Sequence, residues 1–236
     1  TLYLRPQQNL LQDVQAHQRL LQARLAGGAS GAQVAEVQAK IDQDFRDLQA
    51  IDQQYGGALK AGAILRQSAT PEGLKTEWDG LKAAALNLSE TDSQTRHSTL
   101  IADTRALISH IGDTSFLILD PDLDTYYLMD TVLLKLPEIH SLLSQTLLLS
   151  EKIARRQAYT PDERTQLIIL TGSLRYNLDN QDNPYNLDVN VRKAFENKPS
   201  GRIKATIDAS FQQTLEGTRQ FVETVESEII NTEAPD

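Results

Sequence analysis

The amino-acid sequence predicts an all-α protein built as an elongated helical bundle. Of its 236 residues, 40% are hydrophobic and 6% aromatic, and its 12 glycines and 8 prolines are too few for the many turns of a β fold. Helix-favouring Ala, Leu, Gln, Glu, Lys and Arg dominate long stretches of the chain. Capping signals divide these stretches into six helical segments, whose lengths predict two stacked four-helix modules that share long helices.

A glycine cluster separates the first two predicted segments. The first helix runs to about Leu25 and ends at Gly27-Gly28-Ala29-Ser30-Gly31, because glycine tolerates the positive φ of a helix end. The six glutamines between residues 7 and 22 indicate a solvated helix face. The second segment, about residues 32–68, carries a seven-residue repeat that predicts bundle packing. Its two core positions are occupied by Val34, Ile41, Leu48, Tyr55 and Gly62, and by Val37, Asp44, Ile51, Ala58 and Leu65.

The third and fourth segments are bounded by capping residues. The third begins at Thr70-Pro71-Glu72 and extends to Leu119, but Ser89-Glu90-Thr91-Asp92 is a second capping signal inside it. The sequence therefore leaves open whether this segment is one helix or two. The fourth begins at Asp120-Pro121 and reaches about Gln157. Pro137 lies inside it and predicts a kink or a break, because proline lacks the amide hydrogen of a helical residue.

The last two segments complete the predicted bundle. The fifth opens at Thr160-Pro161-Asp162-Glu163, and residues 177–186, rich in Asn and Asp, predict an interruption within it. The sixth runs from Ser200 to about Ile230 and is expected to lie beside the first helix.

Residues 119–138 contain the most specific pattern in the chain. Helix capping explains its first half, in which Asp120 and Pro121 begin a helix and further acids occupy the first turn. Capping does not require the paired Tyr126-Tyr127, the following Met129-Asp130, or Pro137. In this order the residues resemble a signature of the all-helical extracytoplasmic sensor domains of bacterial sensor histidine kinases and methyl-accepting chemotaxis receptors. The resemblance is specific over about residues 100–140.

This resemblance implies a function for the whole chain. Residues 1–236 would be one extracytoplasmic sensor region, periplasmic and joined to the inner membrane by flanking helices, that reports ligand occupancy to an output module. A sensor histidine kinase is the first choice of parent protein, and a chemotaxis receptor is the alternative. The implied partners are a small ligand or a periplasmic binding protein, and a second copy in a homodimer. A non-sensing scaffold or tether is the competing class.

Composition and motifs argue against several other functions. A net charge of −9 opposes binding to nucleic acid. Asp120, Asp122 and Asp124 alternate like the ligands of a calcium loop, but the sixth and twelfth positions are Thr125 and Thr131 instead of Gly and Glu, so a helix cap is favoured. The histidines, His17, His97, His110 and His140, lack metal-ligand spacing, and no motif for acyl transfer or nucleotide binding occurs. We expect no metal, no cofactor and no catalysis from this segment.

A hairpin between the third and fourth segments would bring a polar cluster together, with His110 near Met129-Asp130 and Arg105 near Leu134-Lys135. One interpretation is structural, with a His110–Asp130 hydrogen bond and tyrosine rings in the core. The other is a small cavity beside Pro137 that binds a small polar ligand. Its lining residues would be Arg105, His110, Tyr126, Tyr127 and Asp130. The run Arg175-Tyr176-Asn177 is a second, less favoured patch.

Overall fold

In the computed structural model the chain is an all-α helical bundle. The structure describes residues 2–25, 27–115, 123–197 and 201–232, and it contains no β-strand within these ranges. The predicted fold class is therefore confirmed. The chain divides into two compact units, Thr1–Ile118 and Leu119–Asp236, and every described helix lies within one of them.

The part of unit 1 that the structure describes contains four α-helices. They are α1 (Leu4–Leu25), α2 (Gly31–Tyr55), α3 (Pro71–Ala84) and α4 (Glu90–Thr114), with short 3₁₀ turns at Ala61–Ala63, Gln67–Ala69 and Ala85–Asn87. Helix α1 packs against α2 and α4, and α3 packs against the same two helices, so the four helices surround one core. Its largest fully buried side chains are Trp78, Leu10, Ile41, Leu48, Leu74, Leu81, Leu100, Leu107, Ile108 and Ile111.

The predicted helix starts of unit 1 are formed by side-chain caps. The Thr70 hydroxyl accepts a hydrogen bond from the Gly73 amide at the start of α3, and the Ser89 hydroxyl accepts one from the Asp92 amide at the start of α4. These caps satisfy amides that have no partner within the helix. The third predicted segment is therefore two helices, which settles the question that the sequence left open.

The second predicted segment is shorter than its heptad pattern indicated. Helix α2 ends at Tyr55, and the chain then turns through Lys60, whose φ is 51°. Gly56 allows this ending, because a Cβ there would lie 2.0 Å from Asp52 Oδ1. Gly62 and Leu65, which the heptad placed at core positions, therefore lie beyond the end of the helix, and Leu65 is fully exposed. The prediction of a helix over residues 32–68 was wrong beyond Tyr55, because the glycine pair at 56–57 outweighs the continuing apolar repeat.

Four of the six glutamines of α1 are buried, contrary to the prediction of a solvated face. Gln7 and Gln15 are fully buried, and Gln18 and Gln22 are nearly so. Helix α1 packs on two neighbours, which cover more of its circumference than a single apolar stripe. The core of unit 1 is therefore partly polar.

Unit 2 contains α5 (Leu123–Asp130), α6 (Leu136–Arg156), α7 (Pro161–Leu178), α8 (Leu187–Glu196) and α9 (Arg202–Val225), with π-helical turns at Thr131–Lys135 and Glu226–Ile230. Helix α8 packs on α5, α7 packs on α6, and α9 contacts both α7 and α8. The predicted interruption at residues 177–186 is confirmed, because α7 and α8 are separate helices. Their shared core contains Ile139, Leu142, Leu170, Leu174, Leu178, Leu187, Val191, Leu215 and Val222.

Pro137 lies just after a π-helical turn. The Leu136 amide donates to the carbonyl oxygen of Thr131, five residues back, in place of the usual four. Such a wide turn adapts the helix to a residue that cannot donate a backbone hydrogen bond, and α5, the π turn and α6 follow one another without a break. The predicted irregularity is present, and it is a widened turn. The predicted helix start at Asp120-Pro121 lies outside the described residues.

Candidate functional site

Three of the predicted site residues lie on α5, in the stretch that carries the family resemblance. The rings of Tyr126 and Tyr127 meet edge to face, with centroids 5.3 Å apart and planes at 75°. This arrangement is favourable, because the positive edge of one ring meets the negative face of the other. Tyr126 is 39% exposed and Tyr127 is half-buried, so both rings are accessible to a molecule at the surface.

Helix α8 adds a cation to these tyrosines. Lys193 Nζ lies 5.1 Å from the ring centroid of Tyr127 and 5.7 Å from that of Tyr185. Both distances are within the range of a cation–π contact, so the ammonium group of Lys193 interacts with both rings. No carboxylate of the described residues forms an ion pair with Lys193.

Asp130, the last residue of α5, adds a carboxylate near these tyrosines along the helix. Asn190 of α8 donates a hydrogen bond from Nδ2 to Asp130 Oδ2, which ties α8 to the end of α5. Asn190 is 1% exposed, and its Oδ1 has no hydrogen-bond partner among the described protein atoms. A buried acceptor without a partner is costly, and such atoms often mark positions where a donor from outside the protein binds.

An ordered loop of asparagines sets the position of α8. Asn186 caps α8 by accepting a hydrogen bond from the Val189 amide at 2.8 Å, and its Nδ2 donates to the carbonyl oxygens of Asn180 and Asn183. Asn183 Nδ2 in turn donates to the Tyr176 carbonyl oxygen at 2.9 Å. These bonds fix the loop that carries Tyr185 and the start of α8. We refer to Tyr126, Tyr127, Asp130, Tyr185, Asn190 and Lys193 as the α5–α8 cluster.

The other two predicted site residues belong to α4 in unit 1. His110 Nε2 lies 2.8 Å from the carbonyl oxygen of Lys60, which can only accept, so His110 donates this hydrogen bond. Arg105 is half-buried on the same helix. The predicted ligand cavity and the predicted His110–Asp130 hydrogen bond each combine residues of unit 1 with residues of unit 2. Both therefore stay predictions. The second predicted patch has a structural role, because Arg175 forms an ion pair with Glu226 at 2.6 Å.

Unit 1 contains a buried histidine pair that motif searching missed. His17 Nδ1 lies 2.9 Å from His97 Nε2, and both side chains are fully buried. His97 Nδ1 lies 2.6 Å from the Ser93 carbonyl oxygen, and Gln38 Nε2 lies 3.1 Å from His17 Nε2. One proton arrangement satisfies every atom: Gln38 donates to His17, His17 to His97, and His97 to Ser93. Both imidazoles are neutral in it.

Burial keeps these histidines neutral. It lowers the pKa of His17 to about 3, with the neighbouring His97 adding to the effect. It lowers the pKa of His97 to about 4, although the hydrogen bond to Ser93 acts in the opposite direction. Taking a charged imidazolium out of water is unfavourable, so both rings stay uncharged at neutral pH. The pattern that could have revealed the pair is helical spacing, since His17 shares a face with Val14 and Leu21, which are core residues.

Carboxyl groups are also buried in unit 1. Asp44 of α2 is 6% exposed and forms a side-chain hydrogen bond with Asp13 of α1. Burial, then the charge of Asp13 and this hydrogen bond, raise the pKa of Asp44 to about 7. One proton shared between two carboxyl groups avoids placing two negative charges together. Asp42 behaves differently: burial opposes ionisation, but hydrogen bonds from Lys82 and Trp78 outweigh it and lower the pKa of Asp42.

Other features of the described residues bear on function. No group of three or more His, Cys, Asp or Glu in the described ranges is arranged to hold a metal ion. None of the helices described combines the length and the apolar character needed to cross a membrane. No family model matches the chain, and searches of characterised proteins and of solved structures find no significant match.

Proposed function

We propose that this chain is the extracytoplasmic sensor domain of a bacterial transmembrane receptor. A sensor histidine kinase is the first choice of parent, and a chemotaxis receptor is the alternative. In this proposal the chain lies in the periplasm, is anchored by flanking membrane helices, and responds to a small ligand or a periplasmic binding protein. The predicted end-to-end stacking of two modules in an elongated bundle also stays a prediction, which small-angle scattering can test.

One observation carries the proposal. The stretch that resembles sensor domains, around Tyr126-Tyr127 and Asp130, is the stretch to which α8 adds Lys193 and the partnerless Asn190 Oδ1. A cation, two aromatic faces and a buried acceptor, carried by α5, α8 and the loop before α8, are groups that bind small polar molecules. We therefore place the ligand at the α5–α8 cluster.

The mechanism that we propose is a population shift. A ligand that contacts both α5 and α8 favours the arrangement of these helices to which it binds more tightly, by an amount equal to its differential affinity. The π-helical turn at Thr131–Lys135 follows α5 directly, and single π turns within α-helices are frequent at functional sites. In this mechanism, movement of α5 is accommodated within this turn and passed to α6.

Thermal-shift screening tests the proposal. Organic acids, amines and nucleobases are screened, and we expect at least one to raise the melting temperature by several degrees, because ligand at 100 times its Kd stabilises the folded state by about 2.7 kcal/mol. Tyr127→Ala and Lys193→Met should each abolish this shift while leaving the circular dichroism spectrum helical. Tyr55→Ala is the matched control, since Tyr55 is an exposed tyrosine of unit 1.

Two results would contradict ligand binding at this cluster. One is a full thermal shift in both the Tyr127 and Lys193 variants. The other is a shift lost equally in the Tyr55 control, which would indicate a general effect on folding. An Arg105→Ala variant tests separately whether α4 contributes to the response.

The membrane part of the proposal has its own test. The gene is expected to encode apolar spans of about 18 or more residues on both sides of this segment, followed by a kinase or receptor output region. A reading frame without such spans would contradict anchoring and favour a scaffold.

A further inference from the structure

Helix α7 exposes an uncharged and largely apolar face. Ile168 is 47% exposed, Ile169 is 61% exposed and Tyr176 is 50% exposed, and Thr165 and Gly172 are exposed on the same side of the helix. We call these five residues the α7 stripe. They lie within about 60° of Thr165 on a helix of 3.6 residues per turn, so they form a continuous surface.

The opposite face of α7 is also apolar. Leu170 and Leu174 are buried in the core that α7 shares with α8, and Leu167 is buried against Ile153 and Val225. Between Thr165 and Leu178 the only charged residue is Arg175, which pairs with Glu226. A helix at the surface of a protein normally presents charged residues to water, and a helix that is apolar on both sides is normally covered on both. The α7 stripe is therefore a surface that a partner should cover.

The spacing of the stripe indicates what kind of surface fits it. Thr165, Ile169, Gly172 and Tyr176 follow one another at intervals of four, three and four residues. This is the repeat along which two helices pack side by side over several turns. Gly172 lies at the middle of the stripe, and a Cβ added there would meet nothing within 4 Å. A second helix can thus approach the α7 backbone closely at this point.

We infer that the α7 stripe binds the same stripe of a second copy of this chain, with the two α7 helices parallel about a two-fold axis. In such a contact each residue lies opposite its own copy, so any charged residue in the stripe would face a like charge. None of the five residues is charged, although each copy carries a net charge of −9. The parallel orientation rests on the proposed function, because anchoring in one membrane aligns the two copies.

Disulfide cross-linking tests the inference, because the natural chain contains no cysteine. Single variants Thr165→Cys, Ile169→Cys, Gly172→Cys and Tyr176→Cys of the full chain are oxidised, and the covalent dimer is measured. In a parallel two-fold contact every one of these positions meets itself, so all four should cross-link about tenfold faster or more than Gln166→Cys. Gln166 is exposed on α7 but lies outside the stripe, which makes it the matched control.

A charge variant gives an independent readout. Ile169→Asp should lower the dimer fraction in analytical ultracentrifugation, and Gln166→Asp, which adds the same charge beside the stripe, should not. Equal cross-linking at all five positions would overturn the inference, as would equal dimer fractions in the two charge variants. Cross-linking only in mixtures of the Thr165 and Tyr176 variants would indicate antiparallel helices and overturn the parallel arrangement. Ligand binding at the α5–α8 cluster is measured separately, so either proposal can fail alone.

Discussion

Acidification from pH 7 to pH 4 is expected to destabilise unit 1 strongly. The pKa values of buried His17 and His97 are lowered to about 3 and about 4, whereas in the unfolded chain they return to about 6.5. Between these values the unfolded state binds protons that the folded state does not bind. The two histidines therefore leave the unfolding free energy undiminished above about pH 6.5 and lower it as the pH falls toward 4. For two protons the limiting slope of the unfolding free energy is about 2.7 kcal/mol per pH unit.

Tryptophan fluorescence during urea unfolding measures this effect. The chain has one tryptophan, Trp78, which is fully buried in unit 1 with its ring centroid 5.1 Å from that of His17. The double variant His17→Gln, His97→Gln should be less stable at pH 7.5 by about 1–3 kcal/mol, because it disrupts a satisfied hydrogen-bond chain. Its stability should fall less steeply below pH 6.5 than that of the natural protein. If the unfolding free energies of the two proteins fall equally steeply with decreasing pH, the histidine pair is not the cause of the acid destabilisation.

Asp44→Asn is expected to stabilise unit 1 at alkaline pH. The folded-state pKa of Asp44 is raised to about 7, so its contribution to stability is present below the unfolded value of 3.8 and is lost as the pH rises through 7. Asparagine does not ionise, and its amide can donate to Asp13 as the protonated carboxyl does. We expect a gain in unfolding free energy of about 1 kcal/mol or more at pH 8 and a smaller gain at pH 5, because the loss in the natural protein begins above pH 3.8 and is complete only above about pH 7.

Asp47→Asn is the matched control for this variant. Asp47 is exposed on the same helix, and its charge is a smaller cause of the raised pKa of Asp44. The control should therefore have a smaller effect at pH 8, because exposed charges are screened by water and salt. A gain for Asp44→Asn that is the same at pH 5 and pH 8 would contradict a shared proton.

Local signals in the sequence predicted the helix boundaries well where a cap was present. Thr70, Ser89 and Thr160 each cap the helix that their sequence context indicated, because a cap depends on a few neighbouring residues. The end of α2 was not predicted, since the heptad pattern continued by chance past the glycine pair at 56–57. Helical periodicity alone cannot identify which repeats are buried.

The buried polar groups were harder to predict because they depend on tertiary packing. The six glutamines of α1 read as a solvated face, yet Gln7 and Gln15 are buried between neighbouring helices. His17 and His97 are 80 residues apart, and only the bundle topology brings them together. For the proposed ligand site, the sequence predicted Tyr126, Tyr127 and Asp130 but not Lys193, because the asparagine-rich interruption gave no sign that α8 packs on α5.

Selective isotope labelling of tyrosine tests the proposed ligand site most directly. The chain has seven tyrosines, of which Tyr126, Tyr127 and Tyr185 belong to the α5–α8 cluster. When a compound found by thermal-shift screening is titrated into the labelled protein, we predict that the NMR signals of these three change together with one dissociation constant. The signals of Tyr3 and Tyr55 in unit 1 should stay in place. Changes confined to tyrosines outside the cluster would contradict ligand binding there and, with it, the proposed sensing mechanism.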